Sequence, residues 1–184
     1  MRASTAPRDV LWPAPGIFLD MASKMEHTVS YPFSVDRYWE VISSEQYWRD
    51  LLEAINSSHG KLESFEASPS GITVVMQQGV PEEKLPSMIT KVRPGDLEIP
   101  RTSTFARNGS EITGTFAASV TGAPAKVNGT LVMSGDPSTA KLDVDVDVSV
   151  PFVGGKIESA IIEQLVDLLD SEREQTINWE AANR

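Results

Sequence analysis

The sequence contains no cysteine and only two histidines. The absence of cysteine excludes disulfides, thiolate nucleophiles and zinc sites built from thiolates. Two histidines leave little material for a histidine-based metal site or a Ser-His-Asp triad. We therefore expect no metal and no cofactor, and the sequence names no catalytic residue. The lack of cysteine is compatible with a reducing cytoplasm, where we expect the protein to be located.

Positive charge is scarce as well. Lys and Arg number 16 against 26 Asp and Glu, which gives a formal net charge of −10 at pH 7. A field of that sign repels phosphate backbones and anionic lipid surfaces. Since no basic run offsets it, we expect neither nucleic acid nor a membrane surface as a partner.

Long apolar runs are absent, too. Residues 10–12 and 17–19 are apolar, but two prolines and a glycine separate them. A signal peptide or a membrane-spanning helix needs a continuous apolar stretch, so the sequence predicts neither. We predict that residues 1–24 form a disordered extension and that residues 25–180 form a single soluble domain.

Two alternatives stay open for the N-terminal residues. Translation could begin at Met21 or Met25, in which case most of the extension is not made. The extension could instead be an arm that docks on the domain through the aromatic side chains of Trp12 and Phe18. The chain as a whole is 40% apolar and 23% charged, a balance that favours one globular core.

Turn signals divide the middle of the chain into three hairpins. The turns are Ser68–Gly71, the Asn108-Gly109 pair and Gly135–Ser138, each between two runs that alternate as strands do. Three successive hairpins predict an antiparallel meander, and one more alternating run precedes them. In chain order, the predicted strands are Met25–Tyr31, Lys61–Ala67, Ile72–Val80, Leu97–Arg107, Ser110–Val120, Lys126–Ser134 and Ala140–Val150.

Four segments show helical signals. Ser34 is placed to cap one helix, a second follows at Glu45–Ile55, and a short one is predicted at Glu82–Val92, where it could act as a lid. The last helix, Lys156–Trp179, has a wide apolar stripe that only a sheet is large enough to cover. We therefore predict an α+β fold, in which a curved antiparallel sheet of about seven strands wraps around the C-terminal helix and an apolar cavity.

Two segments carry a resemblance to a known family. They are Tyr31–Trp39, which leads into the first helix, and Val150–Glu158, which leads into the last. With the order of elements, they resemble the START-like superfamily, also called SRPBCC, which includes the birch-pollen allergen and polyketide cyclases. Over residues 25–180 the chain is most similar to an uncharacterised actinobacterial branch, a domain of unknown function. The resemblance implies a helix-grip fold with a cavity for lipids, sterols, polyketides or similar molecules, and it implies no catalytic residue.

Arg101 is the most informative candidate for a ligand contact. On its predicted strand Arg101 lies on the same face as Ile99, Ser103 and Phe105, and this face should turn to the interior. An arginine in an apolar interior must be paired or must meet an anionic group of the ligand, such as a carboxylate. Pro100 leaves a second possibility open, since a bulge there would turn Arg101 outward.

Several other side chains should face the same interior. His27 lies on the inward face of the first strand, as a general base, a ligand contact or a core residue with one hydrogen bond. Gln164 interrupts the apolar stripe of the last helix, so it contacts either the ligand or water. Phe116 and Met133 line the cavity or belong to the core. The predicted ligand-binding residues are Arg101, Phe105, Phe116, Met133, Ile157, Ile161, Gln164, Leu168 and His27.

Asp143, Asp145 and Asp147 have the spacing with which a calcium-binding loop begins. The glycine and the glutamate that such a loop needs further on are replaced by Val148 and Gly154. In a strand the three aspartates share one face, so the pattern indicates a solvated face that resists edge pairing. We therefore predict no metal site here.

The leading functional hypothesis is the binding or carriage of a small hydrophobic molecule, such as a lipid, a fatty acid or a polyketide-like compound. The second is an enzyme of the cyclase or dehydratase kind, in which His27, Tyr31 or a carboxylate transfers protons and Arg101 stabilises an enolate. The third is a domain that binds a basic protein partner without catalysis. The sequence leaves open whether the chain is a monomer or a weak dimer.

Overall fold

The computed structural model describes residues 22–184. The alternative arm with Trp12 and Phe18, and residues 1–21 of the predicted disordered extension, lie outside the described residues. The first strand begins at Ser23 rather than at the predicted Met25. In chain order the elements are β1 Ser23–Ser30, α1 Val35–Ile42, α2 Glu45–Asn56, β2 Lys61–Ala67, β3 Gly71–Val80, a 3₁₀ turn Glu82–Lys84, α3 Ser87–Val92, β4 Leu97–Asn108, β5 Glu111–Ser119, β6 Ala125–Ser134, β7 Thr139–Val148 and α4 Gly154–Ala182.

Seven antiparallel strands form one sheet in the order β1-β7-β6-β5-β4-β3-β2. Strands β2 to β7 are neighbours in chain order, and β1 pairs with β7. The predicted α+β helix-grip fold, with a curved sheet of seven strands, two short helices after β1 and a long C-terminal helix, is confirmed. Gly109, in the turn between β4 and β5, has a φ of 63°, the left-handed backbone that a tight hairpin turn needs.

The alternation along β7 gives the sheet one buried and one solvated face. Leu142 and Val144 are buried, whereas Asp143 and Asp145 are exposed on the opposite face. Asp145 accepts a hydrogen bond from the Lys24 ammonium group of β1 at 2.7 Å. These aspartates therefore lie on the solvated face that the alternation predicts.

The segment between β3 and β4 is not the single helix that the sequence predicts over Glu82–Val92. A 3₁₀ turn at Glu82–Lys84 is followed by a separate helix, α3, at Ser87–Val92. Pro86 lies between them and caps α3. Because proline has no N–H and its ring collides with the preceding turn, it ends the first helical turn and starts a new one.

The carboxylate of Asp96 holds the two ends of this segment together. One of its oxygens accepts a hydrogen bond from the Glu82 N–H at 2.8 Å, and the other lies 3.1 Å from His59 Nε2. The hydrogen bond from the Glu82 N–H is the main cause that lowers the pKa of Asp96, and the contact with His59 adds to it. Met88 and Ile89 of α3 pack half-buried against the core. The segment is therefore closed at its base by Asp96 and packs on the core through α3.

Helix α4 begins earlier and ends later than the predicted Lys156–Trp179. A Cβ atom on Gly154 would lie 2.4 Å from the Val148 carbonyl oxygen, so the close approach of β7 requires glycine at the first helical position. The side of α4 that turns to the sheet carries acidic as well as apolar side chains. Glu158 and Glu180 are buried, with 5% and 4% of their surface exposed.

Each of these buried acids has a partner on another element, as buried charges require. Glu158 accepts hydrogen bonds from the Val148 N–H at 2.9 Å and from the Ser23 hydroxyl at 2.5 Å. Glu180 accepts a hydrogen bond from Arg37 Nε at 3.0 Å. The start of α4 is therefore attached to β1 and β7, and its end is attached to α1.

Replacing Glu158 by alanine tests the first attachment. We expect the E158A variant to lose about 1–3 kcal/mol of unfolding free energy, because the buried Val148 N–H is left without an acceptor. Equilibrium urea unfolding, followed by circular dichroism, measures the loss. The matched control is E163A, an exposed glutamate on the same helix, which should change stability by no more than about 0.5 kcal/mol. Equal losses in the two variants would contradict the role assigned to Glu158.

Candidate ligand-binding site

A small cavity lies between the sheet and α4, next to α1 and α2. Its volume is about 50 Å³, which is room for one or two water molecules. Both apolar and polar side chains form its wall. Among them are Tyr31, Tyr38, Arg101, Phe116, Leu169 and Glu172.

An ion pair crosses this interior from the sheet to the helix. Arg101 Nη1 of β4 lies 2.6 Å from Glu172 Oε1 of α4, and the side chains are only 13% and 14% exposed. Although burial opposes its charge, the Glu172 carboxylate holds the pKa of Arg101 above its usual value. Each charge needs the other, because an unpaired charge in this interior would be costly. An inward arginine was expected either to be paired within the protein or to meet an anionic group of a ligand. In the structure it is paired with the protein's own Glu172 carboxylate.

Pro100 does not turn Arg101 outward. Strands β3 and β4 pair without a register shift through Gln77↔Pro100 and Met76↔Arg101, so there is no bulge between these two residues. The ladder between β4 and β5 begins only at Arg101↔Ala118. Pro100 therefore lies beyond the end of that ladder, where its missing N–H removes no bond to β5.

Further contacts fix the orientation of the Arg101 guanidinium. Its Nε donates to the Ser103 hydroxyl at 3.2 Å, and the group lies 5.7 Å from the centroid of the Phe116 ring. Phe116 pairs across the sheet with Gly129, where a Cβ atom would lie only 2.1 Å from the Phe116 ring. A glycine in the interior of β6 thus lets the aromatic ring lie against the sheet below the arginine.

All three tyrosines of the chain, Tyr31, Tyr38 and Tyr47, line the cavity. The Tyr47 hydroxyl lies 2.9 Å from Thr176 Oγ1, which donates to the backbone oxygen of Glu172 at 2.6 Å. Burial is the main cause that raises the pKa of each tyrosine well above its usual value, and the Glu172 charge adds to it. The hydroxyls therefore stay protonated and uncharged at neutral pH.

Beside the cavity, the facing surfaces of the sheet and α4 are only half-buried. Phe116, Val127 and Leu131 on the inward face of β5 and β6 remain partly exposed, as do Ile162 and Leu165 in the middle of α4. In a closed core such side chains would be fully buried. The sheet and α4 therefore do not close fully on each other along this stretch, which we call the apolar cleft, and Phe116 and Leu131 belong both to it and to the cavity wall.

The predicted ligand-binding residues on apolar faces divide between the cavity and the core. Arg101, Phe105 and Phe116 line the cavity. The remaining ones lie elsewhere: Met133 and Ile157 are buried in the core, and Ile161 and Leu168 are half-buried on α4. A direct ligand contact by these four residues stays a prediction.

Two polar candidates lie away from the cavity. Gln164 is exposed on α4, which agrees with the contact to water that the sequence left open, and its part in ligand binding stays a prediction. His27 faces α4, and its Nε2 lies 2.9 Å from Asp170 Oδ1. His27 therefore has a partner on the helix, and its part in ligand binding stays a prediction.

Two residues of α4 that line the cavity, Leu169 and Glu172, are not among the predicted ligand-binding residues. Leu169 lines the cavity where the sequence points to Leu168, and Glu172 follows one turn later. An acid on a long helix is typical of a solvated face, so apolar periodicity alone gives no reason to place it inside. The available signal was spacing: Glu158, Leu165 and Glu172 lie seven residues apart on one face of α4.

Comparison with protein families gives a match over most of the chain. The family described as a protein of unknown function, DUF2505, matches residues 26–179. The chain belongs to this family. The uncharacterized protein Rv0481c of Mycobacterium tuberculosis is 31% identical over 169 residues, which are 86% of this chain and 97% of that protein. The uncharacterized protein Mb0491c of Mycobacterium bovis has the same identity and coverage.

Solved structures share the fold at low sequence identity. Ara h 8.0201 has a TM-score of 0.55 at 8% identity, over 85% of this chain and 99% of that one. Norcoclaurine synthase of Thalictrum flavum has a TM-score of 0.50 at 16% identity, over 97% of both chains. These similarities confirm the START-like fold, and at such identities they show the fold alone. No helix within residues 22–184 is long and apolar enough to cross a membrane.

The tyrosines allow a test of the buried site through pH. Their pKa values are raised in the folded protein, so their contribution to stability is complete below pH ~10 and is lost as the pH rises further. We expect the ultraviolet absorbance of tyrosinate to stay low in the folded protein at about pH 10, and to rise only with unfolding. In urea-unfolded protein at that pH, about half of the signal should be present. Half-ionisation in the folded protein would contradict the buried position of the tyrosines.

A double-mutant cycle tests the ion pair. The R101M variant should lose about 3–5 kcal/mol of unfolding free energy, because Glu172 is left in the interior without a countercharge. The R101M/E172L variant, which replaces both charges by apolar side chains, should be more stable than R101M. Urea unfolding of the wild type, both single variants and the double variant gives the coupling energy. Strictly additive losses would show that the two charges do not stabilise each other.

Proposed function

We propose that this protein binds a small hydrophobic molecule in the apolar cleft between the sheet and α4. One observation carries the proposal: apolar side chains of the sheet and of α4 face each other without being fully buried, beside a cavity with an aromatic and polar wall. Small-molecule sites combine a mainly apolar lining with a few polar groups that orient the ligand. The START-like fold, with its implied cavity for hydrophobic molecules, supports the same function.

Binding requires the cleft to widen, because the cavity alone is too small. Its volume is about 50 Å³, against roughly 300–1,000 Å³ for typical small-molecule sites. The polar contacts that join α4 to other elements lie at Glu158 and from Asp170 onward. Residues 159–169, between these attachments, rest on the sheet through half-buried apolar side chains. This stretch is the part of α4 that a ligand can displace at the lowest cost.

Burial of apolar surface supplies the driving force. At about 25 cal/mol per Å², covering roughly 200 Å² of a ligand contributes ~5 kcal/mol. Part of this gain offsets the loss of ligand motion and the ordering of side chains. The exposed parts of side chains of the cleft, such as Val127 and Ile162, would also leave water when a ligand binds.

The geometry supports binding rather than proton transfer. His27 contacts Asp170 outside the cavity wall. The raised pKa of Tyr31 keeps the tyrosine hydroxyl protonated at neutral pH. The Glu172 carboxylate is engaged by Arg101. A general base needs access to the substrate and a pKa near the working pH. Within residues 22–184, the cavity wall therefore offers hydrogen-bond donors rather than a base.

A tryptophan placed in the cleft tests the proposal. Val127 faces the cleft from β6 and is half-buried, whereas Val132 on the same strand is 43% exposed on the opposite face. We expect V127W to weaken binding of the neutral fluorescent probe N-phenyl-1-naphthylamine by about tenfold or more, because the indole occupies the ligand's space. The V132W variant should bind as the wild type does. Fluorescence titration gives the dissociation constants.

Folding of both variants is checked by circular dichroism and urea unfolding. A folded V127W protein that binds the probe as tightly as the wild type would contradict a site in the cleft. Native mass spectrometry of protein purified from its own host gives a second, independent measurement. A bound small molecule that is released on denaturation supports the proposal, and a wild-type protein that carries no ligand and binds no probe would overturn it.

A further inference from the structure

We infer that the polar end of this site selects uncharged ligands with an oxygen acceptor, such as a hydroxyl or carbonyl group, over free carboxylates. The inference rests on the proposed binding function and adds the chemical class of the ligand to it. It follows from the way Arg101, Glu172 and two tyrosines, Tyr31 and Tyr38, share the wall of the cavity.

The charge of the site is already balanced. Arg101 and Glu172 lie 2.6 Å apart, and they are the only charged residues that line the cavity within the described part of the chain. A ligand carboxylate would add a second negative charge beside a single cation. Like charges a few ångströms apart repel strongly where the dielectric constant is low. The site therefore disfavours anions although an arginine faces it.

Displacement of Glu172 from Arg101 by a ligand carboxylate is unfavourable, too. The backbone oxygen of Glu172 accepts a hydrogen bond from Thr176 Oγ1 at 2.6 Å, and Tyr47 contacts the same hydroxyl at 2.9 Å. These contacts hold this turn of α4 against α2, so a released carboxylate would stay in the interior. A buried carboxylate without a countercharge is strongly destabilising.

A neutral oxygen acceptor meets donors that the protein leaves available. Ser103 and Glu172 use two of the five N–H groups of Arg101 in the described structure. Burial raises the pKa of Tyr31 and Tyr38, so both hydroxyls keep their protons. The two hydroxyls are hydrogen-bonded to each other, which uses one of these protons and leaves the other for a ligand. A hydroxyl or carbonyl oxygen accepts hydrogen bonds from such groups without adding charge to the site.

Two probes of equal chain length, 1-dodecanol and dodecanoate, test this selectivity. Each competes with N-phenyl-1-naphthylamine at pH ~8, where dodecanoate is ionised. The wild type should bind 1-dodecanol about tenfold or more tightly than dodecanoate. Equal affinity for the two probes, or tighter binding of dodecanoate, would overturn the inference.

Because any apolar site disfavours an ionised ligand, variants must show that the ion pair causes the preference. In the E172Q variant, Arg101 loses its countercharge, so dodecanoate should gain at least about tenfold in affinity relative to 1-dodecanol. An unchanged ratio of dissociation constants in folded E172Q protein would overturn the inference.

The R101M/E172L variant keeps the test decisive if E172Q does not fold, since it leaves no unpaired charge. It removes the arginine donors, and we expect it to bind 1-dodecanol about tenfold more weakly than the wild type does. Undiminished binding of 1-dodecanol by this variant would contradict the assigned donors.

If neither dodecyl probe nor N-phenyl-1-naphthylamine binds the wild type, the proposed function itself fails. If the naphthylamine binds and V127W weakens it, but dodecanoate competes as well as 1-dodecanol, only the inference fails.

Discussion

The ion pair between Arg101 and Glu172 is the contact on which the arrangement of the interior depends. It joins the middle of the sheet to α4 at 2.6 Å, in a region where either charge alone would be strongly unfavourable. The pair therefore fixes which face of α4 turns to the sheet. It also keeps a polar centre inside an otherwise apolar space, where the three tyrosines and Thr176 surround it. A fully apolar core would have no comparable reason to leave room at this point.

The fold could be predicted from local patterns because each signal lies within a few neighbouring residues. Asn108-Gly109 marks a hairpin turn, and the Ser34 hydroxyl caps α1 by accepting from the Arg37 N–H at 3.1 Å. The same alternation that places Phe105 inside indicates an inward Arg101, although Pro100 leaves an outward arginine open in the sequence. Such signals need no knowledge of which strands meet. They therefore identify the sheet, the helices and one half of the site.

The other half of the site depends on contacts between distant parts of the chain. Glu172 is separated from Arg101 by 71 positions, and only its seven-residue spacing from Leu165 and Glu158 distinguishes it in the sequence from the exposed acids of α4. Gly129 accommodates the Phe116 ring only because β5 and β6 pair in one register. Both features follow from tertiary packing, which overrides the ordinary preference of acids for water and of strands for side chains with a Cβ atom.

The uneven attachment of α4 connects these contacts to ligand binding. At its start, Glu158 binds the β7 backbone, and at its end Glu180 binds Arg37 of α1. Between them, the half-buried stretch before Asp170 is held by apolar contacts, which have no preferred direction and reform readily around a different apolar surface. In the binding function proposed above, a ligand would therefore replace part of the contact between α4 and the sheet without breaking one of the hydrogen bonds at the ends of the helix. The same polar contacts that fix the ends of the helix thus confine the opening to its middle, next to Arg101 and the tyrosines.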